Sequence, residues 1–317
     1  DEKTPSSDVV LFQPGTAYRE RPAGFTGTPL PRDEPAAPNP PSGAVIDYYM
    51  KQEIHSEITL DILDEQGGVV RHYSSNDKPL IPDQGKIVVT PDWFESQKNL
   101  SSAPGHHRFV WDLHYTPPEV LRAEPISRQE PSGILALPGQ YTVKLAAGGQ
   151  TYSQPLTVVN DPRVKISRED LARQQDLAKQ LEAERVKLAG AIREIRRLLQ
   201  QADAAHAKTF SAVGTKLAAF TEAVTRLTGI RALPVHYGMP GGAPTSVTGL
   251  DYLESALEKL QHAIDKADAA PSPDAITGFE QQRAVLQKSL KSWDELKASL
   301  LPDLNRALQR EGLPELK

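Results

Sequence analysis

The spacing of apolar residues changes along the chain, and the change predicts two kinds of structure. From about Gly43 to Asn160, apolar and polar residues alternate in short runs separated by Gly, Pro and Asn, which is typical of strands. Beyond Ser167, apolar residues recur every three or four positions among Ala, Gln, Glu, Lys and Arg, which is typical of helices. We therefore expect a β region followed by an α region.

Two hairpins are predicted in the β region. The first is "EITLDILDEQGGVVRHY", in which an alternating strand meets a turn ending in two glycines and then returns. The second is "QYTVKLAAGGQTYSQPLTVVN", in which Gly148-Gly149 permit the reversal. Five or more short strands without helices between them favour a sandwich over a parallel sheet. The residues expected to face the core are Ile58, Leu60 and Ile62 in the first hairpin, and Tyr141, Val143 and Leu145 in the second.

The α region has four segments that are apolar on one side, which predict four helices. Ser167 can cap the first helix, because a serine oxygen accepts a bond from a first-turn N–H. Breaks near Gly229 and Pro271 let the chain fold back, so we expect an antiparallel bundle of about four helices; a coiled-coil dimer is the alternative. The fourth helix is expected to bend or stop at Pro302. The stripes are Leu177, Leu181, Leu188, Ile192, Ile195 and Leu199; Phe210, Val213, Leu217, Phe220, Val224 and Leu227; Leu250, Leu253, Leu257, Leu260 and Ile264; and Ile276, Phe279, Leu286, Leu290, Trp293 and Leu300.

The stretch "PGHHRFVWDLHYTPPE", from Pro104 to Glu119, holds three histidines and is the segment in which a catalytic site is most expected. Its alternation also fits a strand with one aromatic-rich face, since side chains two positions apart share a face. We interpret it mainly as a strand. The face expected in the core consists of Phe109, Trp111, Leu113 and Tyr115.

The other face of that strand makes a surface metal site geometrically possible. Asp112 and His114 would project side by side, with His106 farther along the same face. No third ligand is evident near the first two, and neither His107 nor His114 has an evident partner for general-base catalysis. The sequence therefore predicts no catalytic residue, no cofactor and no metal site. His106, Asp112 and His114 are the candidates if a metal ion does bind.

Composition excludes several classes of function. The net charge of −5, without a concentrated Lys/Arg tract, argues against nucleic-acid binding. No apolar run is long enough for a bilayer, so membrane insertion is not expected. There is no cysteine, which excludes disulfides, a thiol nucleophile and cysteine-ligated zinc.

Three other stretches offer candidate contacts. In "TPDWFES", Trp93 and Phe94 are candidates for stacking on sugar, although closing one end of a sandwich is an alternative role for such a pair. His236 and Tyr237 lie in a long stretch between helices, which is either a contact loop or a spacer. The proline-rich beginning of the chain predicts an extended arm. Within this arm, the apolar run expected to dock as an edge strand contains Val9, Val10, Leu11 and Phe12.

The runs "LDEQGGVVRHY", "PGHHRFVWDLHY" and "PSGILALPGQYTVKL" resemble the Ig-like β-sandwich of the flagellar hook-capping protein and of many exported bacterial proteins. More narrowly, "NPPSGAVIDYYM", "HRFVWDLHY", "PGQYTVKL", "DPRV" and "LLPDLNRALQREGLPEL" resemble the C-terminal region of large exported bacterial proteins. The N-terminal part of those proteins is a sortilin-like or Asp-box β-propeller, and they are often labelled glycosyl hydrolases. The resemblance extends from about Asp8 to the end of the chain.

The resemblance implies a periplasmic or extracellular location and a β-propeller as partner, with "DVVLFQPGTAYR" as the strand that leaves the propeller. We therefore expect a non-catalytic accessory region that docks on a propeller. The alternative is a carbohydrate-binding or glycoside-hydrolase-associated module, for which carbohydrate would be the ligand. The expected organisation is an arm at 1–42, an Ig-like antiparallel sandwich at 43–164 and a helical bundle at 165–317.

Overall fold

The protein combines β-sheets and helices, as the spacing of apolar residues predicts. A computed structural model describes residues 8–21, 41–78, 99–121, 133–209, 212–230 and 249–317. The chain divides into two units, Asp1–Gln175 with Ala267–Ala269, and Asp176–Lys266 with Ala270–Lys317. The first division falls at Gln175, about two turns into the segment expected to form the first helix, whereas the sequence suggested a boundary at 164.

The described part of the first unit contains eight strands: β1 (Val9–Leu11), β2 (Ala17–Arg19), β3 (Ala44–Met50), β4 (Thr59–Leu63), β5 (Val69–Ser74), β6 (Gly105–Trp111), β7 (Gly139–Ala147) and β8 (Gln150–Asn160). They form a three-stranded sheet with the order β1-β3-β6 and a five-stranded sheet with the order β2-β8-β7-β4-β5. Neighbouring strands are antiparallel except β2 and β8, which are parallel. Buried side chains from both sheets form one apolar core.

Both predicted hairpins are confirmed. β4 pairs with β5, and the turn between them is held by Asp64, whose Oδ1 accepts bonds from the backbone N–H groups of Gln66 (3.0 Å) and Gly68 (2.7 Å). β7 pairs with β8 through Gly148 and Gly149, both at positive φ. Alternate side chains of β4 and β7 are buried, so the period-two pattern identified the correct core faces.

The stretch between Pro104 and Glu119 is partly a strand, and its aromatic face lies in the core. Phe109 and Trp111 are buried on β6, which pairs along its whole length with β3. The indole N–H of Trp111 donates to the backbone carbonyl of His114 at 2.9 Å, so the ring is buried without an unsatisfied donor. The Trp111 ring also meets Tyr141 of β7 edge to face, with centroids 5.3 Å apart, and so connects the two sheets.

The beginning of the described chain belongs to both sheets. β1 pairs with β3, and β2 pairs with β8. Val9, Leu11 and Ala17 are buried in the shared core. The sequence predicted an extended arm whose apolar run docks as an edge strand, and in the structure the sheet to which β1 adds belongs to the chain itself.

Four helices are described: α1 (Arg168–His206), α2 (Ala212–Thr228), α3 (Leu250–Asp265) and α4 (Pro273–Arg310). The predicted cap of α1 is confirmed, because Ser167 Oγ accepts a bond from Asp170 N at 3.0 Å. Ser272 caps α4 in the same way, and Pro273 occupies the first turn, where its missing N–H has no cost. Apolar side chains from all four helices share one buried core. Among the described residues, no helix combines the length and the apolar character needed to span a bilayer.

Helices α1 and α4 run in the same direction. Arg283 Nε donates to Glu184 Oε1 at 3.2 Å, and Trp293 Nε1 donates to Glu194 Oε2 at 3.0 Å. The two contacts advance by ten residues on both helices, which requires parallel axes. A simple alternation of four antiparallel helices is therefore wrong for this pair.

Helix α3 runs opposite to α1. Arg185 of α1 donates to Gln261 of α3, while Arg196, farther along α1, lies close enough to Glu254 to affect its pKa. As residue numbers increase along α1, the numbers of the α3 residues that lie beside them decrease, so the two helix axes run in opposite directions. Simple alternation along the chain would make α1 and α3 parallel, so it is wrong for this pair as well.

Helix α4 continues through Pro302 to Arg310, whereas the sequence predicted a bend or a stop. Proline removes one bond to the carbonyl four residues earlier, and both Pro302 and Ala298 are exposed, so water can satisfy that carbonyl. Beyond the proline, Leu304 and Leu308 are buried and hold the last turns in place. The ends of the predicted stripe were wrong, because Ile276 and Leu300 are exposed.

The packing of Trp111 generates a stability prediction. Trp111→Ala should lower the free energy of unfolding by about 3 to 5 kcal/mol, because it leaves a large cavity between the sheets. His114→Ala should cost less than about 1 kcal/mol, because alanine keeps the backbone carbonyl that Trp111 needs. Urea melts of both variants measure the difference. The reverse order of effects would mean that the wrong face of the strand has been assigned to the core.

Candidate functional site

Four predicted contact residues lie outside the described residues. Trp93 and Phe94 fall in 79–98, and His236 and Tyr237 fall in 231–248. The sugar-stacking interpretation of the first pair and the loop-contact interpretation of the second pair stay predictions.

The four predicted contact residues near the start of the chain divide between two environments. Val9 and Leu11 are buried in the chain's own core, so they cannot also add a strand to another protein while this fold is intact. Val10 is half-buried, and Phe12 is 41% exposed. Of these four residues, Val10 and Phe12 therefore remain candidates for contact with another molecule.

The three metal candidates do not come together as the sequence suggested. β6 ends at Trp111, and Leu113 adopts φ 62°, so Asp112 and His114 are not successive outward residues of a regular strand. His114 Nδ1 lies 3.6 Å from Asp112 Oδ2, whereas the exposed His106 lies 3.9 Å from Asp47. Within the described residues, no three His, Asp or Glu side chains are placed to share a metal ion.

One surface does bring several predicted and unpredicted residues together, and we call it the outer face of the small sheet. Because alternate residues of β1, β3 and β6 are buried, the intervening ones point away from the core. In the register of the sheet, Val10 lies opposite Tyr49, and Tyr49 lies opposite His106. The outer face consists of Val10, Phe12, Val45, Asp47, Tyr49, His106, Arg108 and Val110.

The most exposed apolar group of the outer face is Phe12, directly after β1. Its backbone N–H donates to Asp47 O at 3.0 Å, which continues the pairing with β3 by one residue. Its ring centroid lies 5.9 Å from that of His106, with the planes tilted by 47°. Phe12 is thus held against β3 and β6 while much of its ring remains accessible.

An ion pair lies beside Phe12. Arg108 donates to both oxygens of Asp47, with Nε to Oδ1 at 2.9 Å and Nη2 to Oδ2 at 3.0 Å. These hydrogen bonds are the main reason that the pKa of Asp47 lies below its ordinary value, with the charges of Arg108 and His106 acting in the same direction. The side chain of Arg108 remains 59% exposed, so its guanidinium can still meet another molecule.

This arrangement has the chemistry of a binding surface. An exposed aromatic ring, a half-buried tyrosine and a fixed guanidinium provide apolar area, stacking and directed hydrogen bonds. Sequence alternation already placed Arg108 away from the core. Its pairing with Asp47, 61 positions earlier, could not be read from the sequence, because it depends on the register of β3 and β6.

The sequence also gave no signal for a buried ion pair in the first unit. Arg19 and Asp268 have side chains that are 3% and 2% exposed, and Arg19 Nη1 lies against Asp268 Oδ1. Arg19 Nε also donates to Ala136 O at 2.8 Å, and Arg21 Nε donates to Asp268 Oδ1 at 2.6 Å. Burial lowers the pKa of Arg19, and the charge of Asp268 opposes that effect. Arg19 and Asp268 therefore form a buried, hydrogen-bonded pair inside the first unit.

Two carboxyl groups of the second unit are perturbed by burial. Burial raises the pKa of Glu182 on α1 and of Glu254 on α3, against the opposing charge of Arg185 near both and of Arg196 near Glu254. Perturbed carboxyls can mark functional sites, but they also arise where acidic side chains pack between helices. In the second unit, burial disfavours the charged forms of Glu182 and Glu254 where α3 packs on α1.

Neither the family models nor the curated proteins with which the chain was compared give a match. The proposal for function therefore depends on the outer face of the small sheet and on the resemblance carried by the sequence.

The perturbed pKa of Glu254 generates a pH prediction. Since this pKa is higher in the folded than in the unfolded state, the folded state binds more protons, and stability falls as pH rises above the ordinary glutamate value of 4.5. Glu254→Gln should therefore raise the melting temperature at pH 7 and reduce its decline between pH 4.5 and 7. Glu280→Gln, at an exposed position of α4, is the matched control and should leave the profile unchanged. A lower melting temperature for Glu254→Gln would show that the charged form stabilises the fold.

Proposed function

We propose that this chain is a non-catalytic interaction region of an exported bacterial protein and that it binds a partner through the outer face of the small sheet. The observation that carries the proposal is the exposed ring of Phe12, fixed beside His106 and the Asp47–Arg108 pair. The finer architecture that we propose is an Ig-like β-sandwich followed by a helical bundle. In support, two sheets share one core, and so do four helices.

The composition of the outer face favours protein contact. Aromatic residues and arginine supply much of the binding energy in protein interfaces, especially where less polar residues surround them and exclude water. Here Phe12 and Arg108 lie among Val10, Val45 and Tyr49, which are all half-buried. The opposite side of the same strands is buried, so strand alternation fixes the orientation of these side chains.

The partner that we propose is a β-propeller of the sortilin-like or Asp-box class. The support is the resemblance of "NPPSGAVIDYYM" and "HRFVWDLHY" to the region that accompanies such propellers in exported proteins. Those two runs include β3 and most of β6, and they contain five of the eight residues of the outer face. The segments that carry the resemblance thus also provide most of the proposed surface.

The proposal predicts which substitutions weaken binding. Phe12→Ser and Arg108→Ala should each weaken the affinity for a sortilin-like propeller domain, supplied as a separate chain, by about tenfold or more. Isothermal titration calorimetry measures the affinity. Melting temperatures should change little, because both side chains are exposed.

Tyr18→Ser is the matched control, because Tyr18 is 50% exposed but belongs to the five-stranded sheet. It should bind as the wild-type chain does. If the wild-type chain does not bind the propeller, or if Tyr18→Ser weakens binding as much as Phe12→Ser does, the proposed surface is wrong.

A separate prediction concerns catalysis. The purified chain should not turn over aryl-glycoside, ester or peptide substrates, with or without added divalent metal. His114 and Asp112 are the residues to test, since they are the closest His–Asp pair of the segment first considered as a site, 3.6 Å apart. Metal-dependent turnover that disappears in Asp112→Ala or His114→Ala would contradict a non-catalytic role.

A further inference from the structure

A second binding feature of the first unit is independent of the outer face. We infer that the edges of β3 and β8 form a peptide-binding groove, which residues 8–21 fill in this copy and which residues 8–21 of a second copy can fill. The chain would then form a strand-exchanged dimer.

The position of residues 8–21 in the two sheets is the first support. β1 is the terminal strand of the three-stranded sheet, and β2 is the terminal strand of the five-stranded sheet. Within the described residues, β1 ladders only with β3, and β2 ladders only with β8. The segment can therefore leave both sheets without breaking any other strand pairing.

Residues 8–21 make the same kinds of contact as a peptide that binds by adding a strand to a sheet edge. Backbone bonds join Phe12 N to Asp47 O at 3.0 Å and Lys51 N to Asp8 O at 2.8 Å on the β3 side. On the β8 side, Gln154 Nε2 donates to Leu11 O at 3.0 Å. In strand addition, main-chain bonds of this kind give affinity, while alternate side chains in pockets give specificity.

The side chains provide that specificity. Val9, Leu11 and Ala17 are buried in the shared core, and Arg19 is buried against Ala136 O and Asp268. Without the segment, the groove would expose apolar core and leave the Asp268 carboxylate without the charge of Arg19. An open groove is therefore unfavourable, and the sequence that fits it is carried by every copy of the chain.

The connection to the rest of the unit determines how exchange can occur. Residues 22–40 are 19 positions, six of them proline. An extended chain of this length reaches at most about 60 to 70 Å. Because the segment and its groove belong to one chain, a second copy has to compete with an intramolecular partner, and exchange is therefore expected at high protein concentration. Both forms contain the same contacts in the groove, which is the usual condition for strand exchange.

The first test uses the full chain with a specific protease site placed within residues 22–40 and cut after folding. The N-terminal fragment should coelute with the remainder. After a cycle through mild denaturant, a fluorescent peptide of residues 8–21 should take its place, as measured by anisotropy.

The Leu11→Asp peptide should bind at least tenfold more weakly, while the Phe12→Ser peptide, altered at an exposed position, should bind within about threefold of wild type. If the wild-type peptide fails to bind, or if the Leu11→Asp peptide binds equally well, the groove is wrong.

The second test uses two uncut chains of different isotopic mass, refolded together at high concentration and examined by native mass spectrometry. Mixed dimers should form, and deleting ten residues from 22–40 should increase their fraction. If the free peptide exchanges but no mixed dimers form, the inference that residues 8–21 of a second copy fill the groove is wrong. Because Phe12→Ser is expected to weaken propeller binding but not strand exchange, failure of this inference is distinguishable from failure of the proposed function.

Discussion

The first unit depends on the burial of one face of β1, β3 and β6 around Trp111. This indole is fully buried, its N–H is satisfied by His114 O, and its ring meets Tyr141 of the opposite sheet. Because successive strand residues point to opposite faces, fixing Trp111 inward also fixes Arg108 and Val110 outward. The geometry of the proposed binding surface is thus a consequence of core packing.

The backbone around Trp111 is equally constrained. A side-chain carbon added at Gly43 would lie 2.2 Å from the carbonyl oxygen of Trp111, so only glycine fits directly before β3. After the strand, Leu113 takes a positive φ and remains buried. That turn ends β6 and directs Asp112 and His114 into a local pair. The segment that most resembles an active site in sequence thus contains the end of β6 and the turn that follows it.

Local patterns carried most of the information about the secondary structure. The two hairpins, the cap at Ser167 and the buried parts of the helix stripes follow from spacing and turn chemistry, which act over a few residues. Features that were missed depend on distant partners. The buried Arg19–Asp268 pair joins positions 249 residues apart, and the shared direction of α1 and α4 appears only in contacts about 100 residues apart. The prediction that α4 bends or stops at Pro302 was wrong, because the effect of a proline depends on whether water can reach the carbonyl of the residue four positions earlier.

The candidate site shows the same division. Alternation identified Arg108 as outward-facing and the run from Val9 to Phe12 as a strand, but it could not show that this strand completes the chain's own sheet. Only with the register between β1, β3 and β6 does Phe12 lie beside His106 and Asp47. The same register explains why half of the apolar run is buried and the other half remains for contact. A sequence pattern gives the two faces of a strand, whereas tertiary pairing determines which neighbours share each face.

Hydrogen–deuterium exchange of the chain with and without a sortilin-like propeller domain tests the central claim most directly. The account predicts that added protection concentrates in peptides covering residues 8–13, 44–50 and 105–111, which carry the outer face of the small sheet. Protection confined to the five-stranded sheet around Tyr18 and Val159, or to the helices of the second unit, would contradict it.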